Sequence, residues 1–363
     1  MSNSVMLGMS GGVDSTVAAY LLQQQGYDVI GATMQLYTGD DIVSASGTCA
    51  SLEDARDARA VADSLGIPHQ ILNFTEDFRH QVMRRFIDAY REGKTPNPCI
   101  DCNRYLKFGR MLQYAESQGI DRIATGHYAR IERCGDRYYL KKALDRDKDQ
   151  TYVLYSLTRH QLAHILLPLG DYRKSEIREI AEANHFVNAK KHDSQDICFV
   201  PDGDYAAFIE KATGEQFPEG NFVDLKGNVL GKHKGIVRYT VGQRKGLGIG
   251  GRKESLFVIG TDVEQNVVYV GEGDNHPGLH RKALKIELGD IHWVDPRDKM
   301  TEGERRRYMV RIRYRQPLQG AELIMESDGL YILFDEPQRG ITAGQFAAWY
   351  DGDNLAGSGV IQR

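Results

Sequence analysis

The stretch that most constrains this chain lies near its first residues. The apolar run Val5-Met6-Leu7 gives way to Gly8-Met9-Ser10-Gly11-Gly12-Val13-Asp14-Ser15, and Thr16-Val17-Ala18-Ala19-Tyr20-Leu21-Leu22 follows. A short buried strand, a glycine turn and a helix start, in that order, make an anion-binding arrangement. Gly11 and Gly12 let the backbone curl until several N–H groups point at one phosphate. The new helix adds its own N–H groups and its dipole. Ser10 and Ser15 bring hydroxyl donors, and Asp14 is placed to hold a magnesium ion beside the phosphates. A Walker loop is excluded, because it needs Gly-x-x-x-x-Gly-Lys-Ser/Thr and no lysine stands here. The dinucleotide fingerprint fails for want of its third glycine.

Strands and helices then alternate. Asp28 to Met34 reads as a second strand, Tyr37 to Cys49 as a polar loop, and Leu52 to Leu65 as a helix with Ala55, Ala58, Val61, Ala62 and Leu65 on one side. Gly66-Ile67-Pro68 ends it, His69 to Phe74 is the next strand, and Asp77 to Tyr90 the next helix. This pattern predicts a doubly wound α/β sheet, whose ligands sit beyond the carboxyl ends of the strands. Met34 falls at such an end, where it packs either on an adenine or in the core. Two prolines, Pro96 and Pro98, argue against helix before Cys102. The reading there is a helix from about Asn103 to Ser117, with Cys102 at its amino terminus, where a thiolate is stabilised. Ile123 to Tyr128 reads as a strand end and loop, Asp145 to Gln150 as a charged loop, and Arg173 to Asn184 as a helix.

Beyond Lys190 the character changes. A polar stretch runs to Cys198 and Phe199, a short helix is expected over Asp204 to Lys211, and the remainder reads as β. The β runs are Ile236 to Tyr239, Leu256 to Asp262, Val267 to Val270, Ala283 to Leu288, Met309 to Tyr314, Glu322 to Glu326 and Tyr331 to Phe334. With 363 residues there is room for three domains. The expected division is an α/β domain over 1–200, a small mostly β domain over 201–278, and a β-barrel over 279–363.

A formal net charge of −4 says little about partners, because the charge is uneven. Between Lys226 and Lys253 stand eight basic residues and no acid, and a second stretch carries Arg305, Arg306, Arg307, Arg311, Arg313 and Arg315. Each stretch reads either as a polyanion site or as a solvated face. No apolar run is long enough for a membrane span, and no signal peptide is visible. Five cysteines suit a reducing cytoplasm better than a disulfide framework. Cys99-x-x-Cys102 has three readings: half of a zinc or iron–sulfur site, inert buried thiol, or reactive sulfur chemistry. Cys49 and Cys134 suggest no role.

Several motifs then occur in order: Gly8 to Ser15, Thr95-Pro96-Asn97-Pro98-Cys99 with Cys102-Asn103, Lys107-Phe108, Ala124-Thr125-Gly126-His127-Tyr128, Lys148-Asp149-Gln150, Asp196-Ile197-Cys198-Phe199 and Gly242-Gln243-Arg244-Lys245-Gly246-Leu247-Gly248. Arg313-Tyr314-Arg315, Pro337 and Gly344-Gln345 extend the series. Ser10 to Ser15 resembles the PP-loop of the ATP pyrophosphatases, and the whole series resembles the bacterial tRNA-specific 2-thiouridylases from end to end. The resemblance implies ATP, taken with Mg2+, bound at Gly8, Met9, Ser10, Gly11, Gly12, Val13, Asp14, Ser15, Met34 and Gly126. It implies contact with the target base at Asn97, Pro98 and Cys99, and with tRNA at His127, Lys148, Asp149, Gln150, Arg313, Tyr314 and Gln345. In the reaction that the resemblance implies, AMP is transferred to the C2 oxygen of the wobble uridine, which makes it a leaving group. By the same resemblance, Cys198 is expected to carry sulfur as a persulfide from a cysteine desulfurase or a relay protein, and Cys102 to be the nucleophile. A Cys102–Cys198 disulfide then needs a reductant. Some relatives carry an acid where Cys99 stands, so the nucleophile is placed on Cys102, before Asn103. The competing expectations are a small-molecule synthetase, a 4-thiouridine enzyme and a non-catalytic RNA-binding module. The first needs neither cysteine, the second usually has an added amino-terminal domain, and the third needs no pyrophosphate loop.

Overall fold

The apolar start of the chain is buried on both faces, and this places it at the centre of a sheet. A computed structural model describes residues 3–37, 52–191, 197–200 and 202–362. Strand β1 (Ser4–Gly8) lies between β2 (Asp28–Gln35) and β4 (Ile123–Ala124), with β3 (His69–Asn73) and β7 (Ile165–Leu166) outside them. Every pairing is parallel, in the order β3-β2-β1-β4-β7. Successive side chains of β1 point to opposite faces. Val5 and Leu7 join a cluster with Val17 and Leu22 of helix α1 (Val13–Gln24) and Ile177 of the helix Lys174–Ala183. Met6 faces the other way, into a larger cluster with Phe78, Phe86, Cys102 and Phe108. Burial on both sides is the rule for parallel sheets covered by helices. Helix α2 (Leu52–Leu65) has the bounds its spacing predicts. The polar loop expected from Tyr37 to Cys49 lies, beyond Tyr37, outside the described residues.

The expected β run Ile236 to Tyr239 is not a strand. Ile236–Arg238 form a 3-10 turn, entered through Gly235 at φ +101°, where a side chain would press on Phe217. Ile236, Val237 and Tyr239 are nonetheless buried, so their apolar character serves a plug rather than a strand. The middle sheet consists of β8 (Gly220–Val223), β9 (Val229–His233), β10 (Leu256–Asp262) and β11 (Val267–Glu272), in the order β10-β11-β8-β9.

Seven strands follow: β12 (His280–Ile286), β13 (Ile291–Trp293), β14 (Arg305–Arg311), β15 (Gln319–Glu326), β16 (Gly329–Arg339), β17 (Phe346–Asp351) and β18 (Asn354–Val360). Trp349, Leu323, Ile332 and Phe334 fill their interior. The sheet curls until its ends meet, for Gln362 donates its N–H to the carbonyl of Lys285 at 3.0 Å. It also takes in a hairpin from the α/β region. Strands β5 (Ala129–Cys134) and β6 (Arg137–Lys142) extend it beyond β18, with Leu355 opposite Leu140. Sequence patterning missed this hairpin, and it ties the first region to the last.

Candidate active site

The turn between β1 and α1 is shaped by its neighbours. Gly11 has φ +71°, and a Cβ there would stand 2.9 Å from Cα of Asp54, at the start of α2. Only glycine suits that conformation and that approach. Gly126 is equally confined: a Cβ would lie 2.9 Å from the Ser15 nitrogen and 3.0 Å from the Asp14 carbonyl carbon. The chain after β4 therefore rests on the first turn of α1. Ser15 Oγ donates to the Gly12 carbonyl at 3.0 Å and accepts from the Ser10 N–H at 3.3 Å, which holds the loop curled. Met9 is buried, Ser10 is exposed, and the first N–H groups of α1 have no partner within the helix. The loop thus fits phosphate. Met34, half-buried at the end of β2, packs against the cluster that contains Cys102.

Asp14 is already engaged. The Tyr128 hydroxyl donates to Oδ1 at 2.7 Å, and Lys174 Nζ reaches Oδ1 at 2.7 Å and Oδ2 at 2.8 Å. The Lys174 side chain is only 10% exposed. Sequence reasoning missed this lysine; its signal was the absence of one from the loop, which called for a cation from elsewhere. As a magnesium ligand, Asp14 fits in kind, since Mg2+ takes one or two carboxylates beside phosphates. It would have to share those oxygens with Lys174 or release it. Among the described residues no group of three His, Cys, Asp or Glu side chains could hold a metal.

The cysteine pair is arranged differently from the sequence expectation. Helix begins at Pro98, not near Asn103. It runs as Pro98–Asp101, passes into a π-helical stretch over Cys102–Arg110 and continues as Met111–Ser117. Proline is tolerated at the first helical position, where its missing N–H would have no partner anyway. Asn97 caps the helix, its side chain accepting the Cys99 N–H at 3.2 Å. Cys99, not Cys102, therefore occupies the first turn and is exposed, whereas Cys102 is buried at 8% exposure. Beside it, burial raises the Asp101 carboxyl, against the opposing charges of Arg85 and Arg104. Cys198 is half-buried and packs against the cluster that holds Cys102. Phe199 anchors it, with ring centroids 5.6 Å from Phe78, 5.3 Å from Phe86 and 5.1 Å from Phe208. Cys49 lies outside the described residues, and Cys134 is exposed at the end of β5.

The barrel grips the segment before this helix. Thr95 donates its N–H to Ala343 O at 2.9 Å, and Gln345 Nε2 donates to Thr95 O at 2.8 Å. Tyr314 is half-buried, and burial, then Asp149, raises its hydroxyl, with a further push from nearby Cys99. Gln150 and Tyr128 exchange two bonds, each 2.8 Å long. Lys148 is half-buried and Arg313 is exposed, its Nη2 on the carbonyls of Arg339 and Gly340. Two expected tRNA positions are interior. His127 packs on Phe108 and bonds Thr125 Oγ1 at 2.8 Å, and burial, then Lys107, keeps it neutral. Asp149 lies under the barrel, 2.6 Å from Arg311 Nη2.

Fold and loop together define a class: an α/β domain with a PP-loop-type phosphate site, followed by a small β domain and a β-barrel. Three family models match in series, described as a tRNA methyl transferase HUP domain over residues 3–202, a tRNA methyl transferase PRC-barrel domain over 206–272 and an aminomethyltransferase beta-barrel domain over 283–361. The tRNA-specific 2-thiouridylase MnmA of Clostridioides difficile is 49% identical over 100% of this chain and 99% of that one. Its namesake in Clostridium acetobutylicum is 47% identical over 100% of both chains. The chain belongs to the tRNA-specific 2-thiouridylase family. A solved 4-thiouridine synthetase in complex with RNA and ATP overlaps 55% of this chain and 45% of its own, at 20% identity and a TM-score of 0.33, too loosely to carry an argument.

Proposed function

We propose that this protein converts the wobble uridine of tRNA to 2-thiouridine, using ATP. What supports the reading is that Cys102 is buried in the cluster on the Met34 side of the parallel sheet, and that Cys198, distant in sequence, packs against the same cluster. A methyl transfer would need neither these cysteines nor a loop for pyrophosphate.

The loop Gly8 to Ser15, with Gly126, cradles the phosphates of ATP, and Met34 lies against the adenine. Lys174 supplies the positive charge that the loop lacks. Bound Mg2+ would offset phosphate charge beside Asp14. The C2 oxygen of the uridine attacks the α-phosphorus, and pyrophosphate leaves. The terminal sulfur of a Cys198 persulfide then attacks C2, and AMP departs with the oxygen. The Cys102 thiolate attacks the inner sulfur, freeing 2-thiouridine and leaving a Cys102–Cys198 disulfide. A reductant supplies two electrons to reopen it. The persulfide comes from a cysteine desulfurase or a relay protein, in the reducing cytoplasm where tRNA is found. Among the described residues no helix is long and apolar enough to cross a membrane. Asn97, Pro98 and Cys99 meet the base, which must leave its stack to be modified. Lys148, Gln150, Tyr314 and Gln345 line the same approach. His127 and Asp149 act from inside, supporting the loops that carry these contacts. Arg313 and the exposed Arg244-Lys245 loop take phosphates.

The test is nucleoside mass spectrometry of tRNA incubated with protein, ATP, cysteine and a desulfurase. Cys102→Ser and Cys198→Ser each abolish 2-thiouridine while ATP and tRNA still bind, and Cys99→Ser keeps substantial activity. Exposure of Cys99 in the first helical turn favours a second reading in which the paired cysteines exchange roles. A dead Cys99→Ser with an active Cys102→Ser would establish it.

A further inference from the structure

After β4 the chain comes back over the first turn of α1. Gly126 lays its backbone on the Asp14–Ser15 peptide, where a Cβ would stand 3.0 Å from the Asp14 carbonyl carbon. A little further on, Tyr128 is 2% exposed and donates its hydroxyl to Asp14 Oδ1 at 2.7 Å. Lys174 Nζ bonds both oxygens of the same carboxylate and lies 5.8 Å from the centroid of the Tyr128 ring. Carboxylate, ammonium and phenol therefore fix one another. The Asp14 side chain is still 30% exposed, so it is held without being closed off.

Tyr128 is braced in turn by a stretch remote in sequence. Its N–H donates to Gln150 Oε1 at 2.8 Å, and its carbonyl accepts the Gln150 N–H at 2.8 Å. The neighbouring Asp149 is buried, with Arg311 Nη2 at 2.6 Å, the Thr151 hydroxyl at 2.8 Å and the Ala143 N–H at 3.2 Å. Gln150 thus stands on a fixed base, with its amide oxygen turned to the Tyr128 backbone. A phenylalanine would fill the place of Tyr128, so packing alone does not explain the hydroxyl. A phenol also donates without bringing a charge, so it orients Asp14 and leaves its negative charge for a cation.

We propose that Tyr128, braced by Gln150, is a positioning residue that holds the Asp14 carboxylate in the orientation in which it serves Mg2+ and ATP. The inference rests on the reading of the loop as an ATP site. Tyr128 acts through Asp14 and not by touching the nucleotide. A hydrogen bond to a charged group contributes more than one between neutral groups, so its loss is measurable. Gln150, which also lines the tRNA approach, supports the nucleotide site from behind.

Equilibrium binding of ATP, measured with Mg2+ and again with EDTA, tests this in the wild type, Tyr128→Phe, Asp14→Asn and the double variant. Tyr128→Phe should weaken binding about tenfold with Mg2+ and less than about twofold with EDTA. Once Asp14→Asn is present, Tyr128→Phe should add no further loss, because the two residues share one interaction. A residue that served packing alone would lower affinity alike in both solutions and in both backgrounds. Gln150→Met removes the acceptor for the Tyr128 N–H and should repeat the loss with Mg2+. Gln150→Glu keeps an acceptor and should restore binding. The Gln150 pair carries the test if Tyr128→Phe does not fold. Wild-type affinity of Tyr128→Phe for ATP with Mg2+ overturns the proposal, as does an equal loss in EDTA or in the Asp14→Asn background. A wild type that binds no ATP overturns the nucleotide reading as well.

Discussion

Two arginine- and lysine-rich stretches look alike in the sequence and differ in the structure. In the barrel, the cations of β14 are taken up by acids opposite or beside them. Arg305 pairs with Glu322, Arg306 with Glu304 and Arg307 with Asp335, and Arg311 is buried on Asp149. In the middle domain Arg238 pairs with Asp204 and Glu210, but Lys226, Lys232, Lys234, Arg244, Lys245, Arg252 and Lys253 stand exposed. The acids reach β14 from its neighbour β15 (Glu322), from β16 beyond that (Asp335), from the residue just before the strand (Glu304) and from the loop that holds Asp149. The exposed cations of the middle domain lie mostly in turns and loops, and Lys232, on β9, has the uncharged Asn221 as its cross-strand neighbour. Density of positive charge therefore identifies a polyanion site only where the backbone leaves that charge unmatched.

The contrast is broken most severely at Arg311. Its guanidinium also bonds the Tyr350 hydroxyl at 2.7 Å, and burial lifts that tyrosine to about 12, so its proton stays in place. Arg311→Met strands the buried Asp149 carboxylate and should cost about 3–5 kcal/mol in urea unfolding. Adding Asp149→Asn should return part of that loss, because the two sites share one interaction. A single-mutant loss under about 1 kcal/mol would place the pair with exposed ion pairs instead.

The next largest effect belongs to the exposed loop. With Arg244→Ala and Lys245→Ala combined, tRNA affinity should fall, and the log–log salt slope should drop by roughly 0.7–0.9 for each phosphate contact removed. Arg313→Ala sharpens the comparison because Arg313 is exposed yet already serves two carbonyls. It should lower the slope by a single contact, about 0.7–0.9, and equal slopes would mean that it only braces Arg339 and Gly340. Smallest of all are Arg305→Ala and Arg307→Ala. Exposed pairs contribute little, so neither the salt slope nor the melting temperature should move measurably. A changed slope in either variant would return the barrel strand to the RNA surface.

Local features were legible before folding. The glycine turn, the strand before it and the helix after it lie where the residues place them, and α2 and β10 have the predicted bounds. Other readings failed for identifiable reasons. Pro98 looked like a helix breaker but sits where a helix accepts proline. Ile236 to Tyr239 looked like a strand because buried apolar turns and strands share a composition. The hairpin β5–β6 escaped notice because Arg130, Glu132, Arg137, Lys141 and Lys142 obscure its alternation, and its partner strand lies far along the chain.

By itself the sequence determined that a phosphate loop opens a doubly wound sheet, that two β domains follow, and that two cysteine motifs stand far apart. Glycine permissiveness and hydrophobic period act over a few residues, so they are written in order along the chain. Only the tertiary structure decided that Lys174 holds Asp14, that Cys99 rather than Cys102 takes the first helical turn, and that the arginines of β14 are paired with acids while most cations of the middle domain are exposed. Each of these depends on distances between residues remote in sequence or on a local choice that packing arbitrates. Charge, hydrogen bonding and burial act through space, and the order of residues does not state which groups the fold will bring within 3 Å of one another.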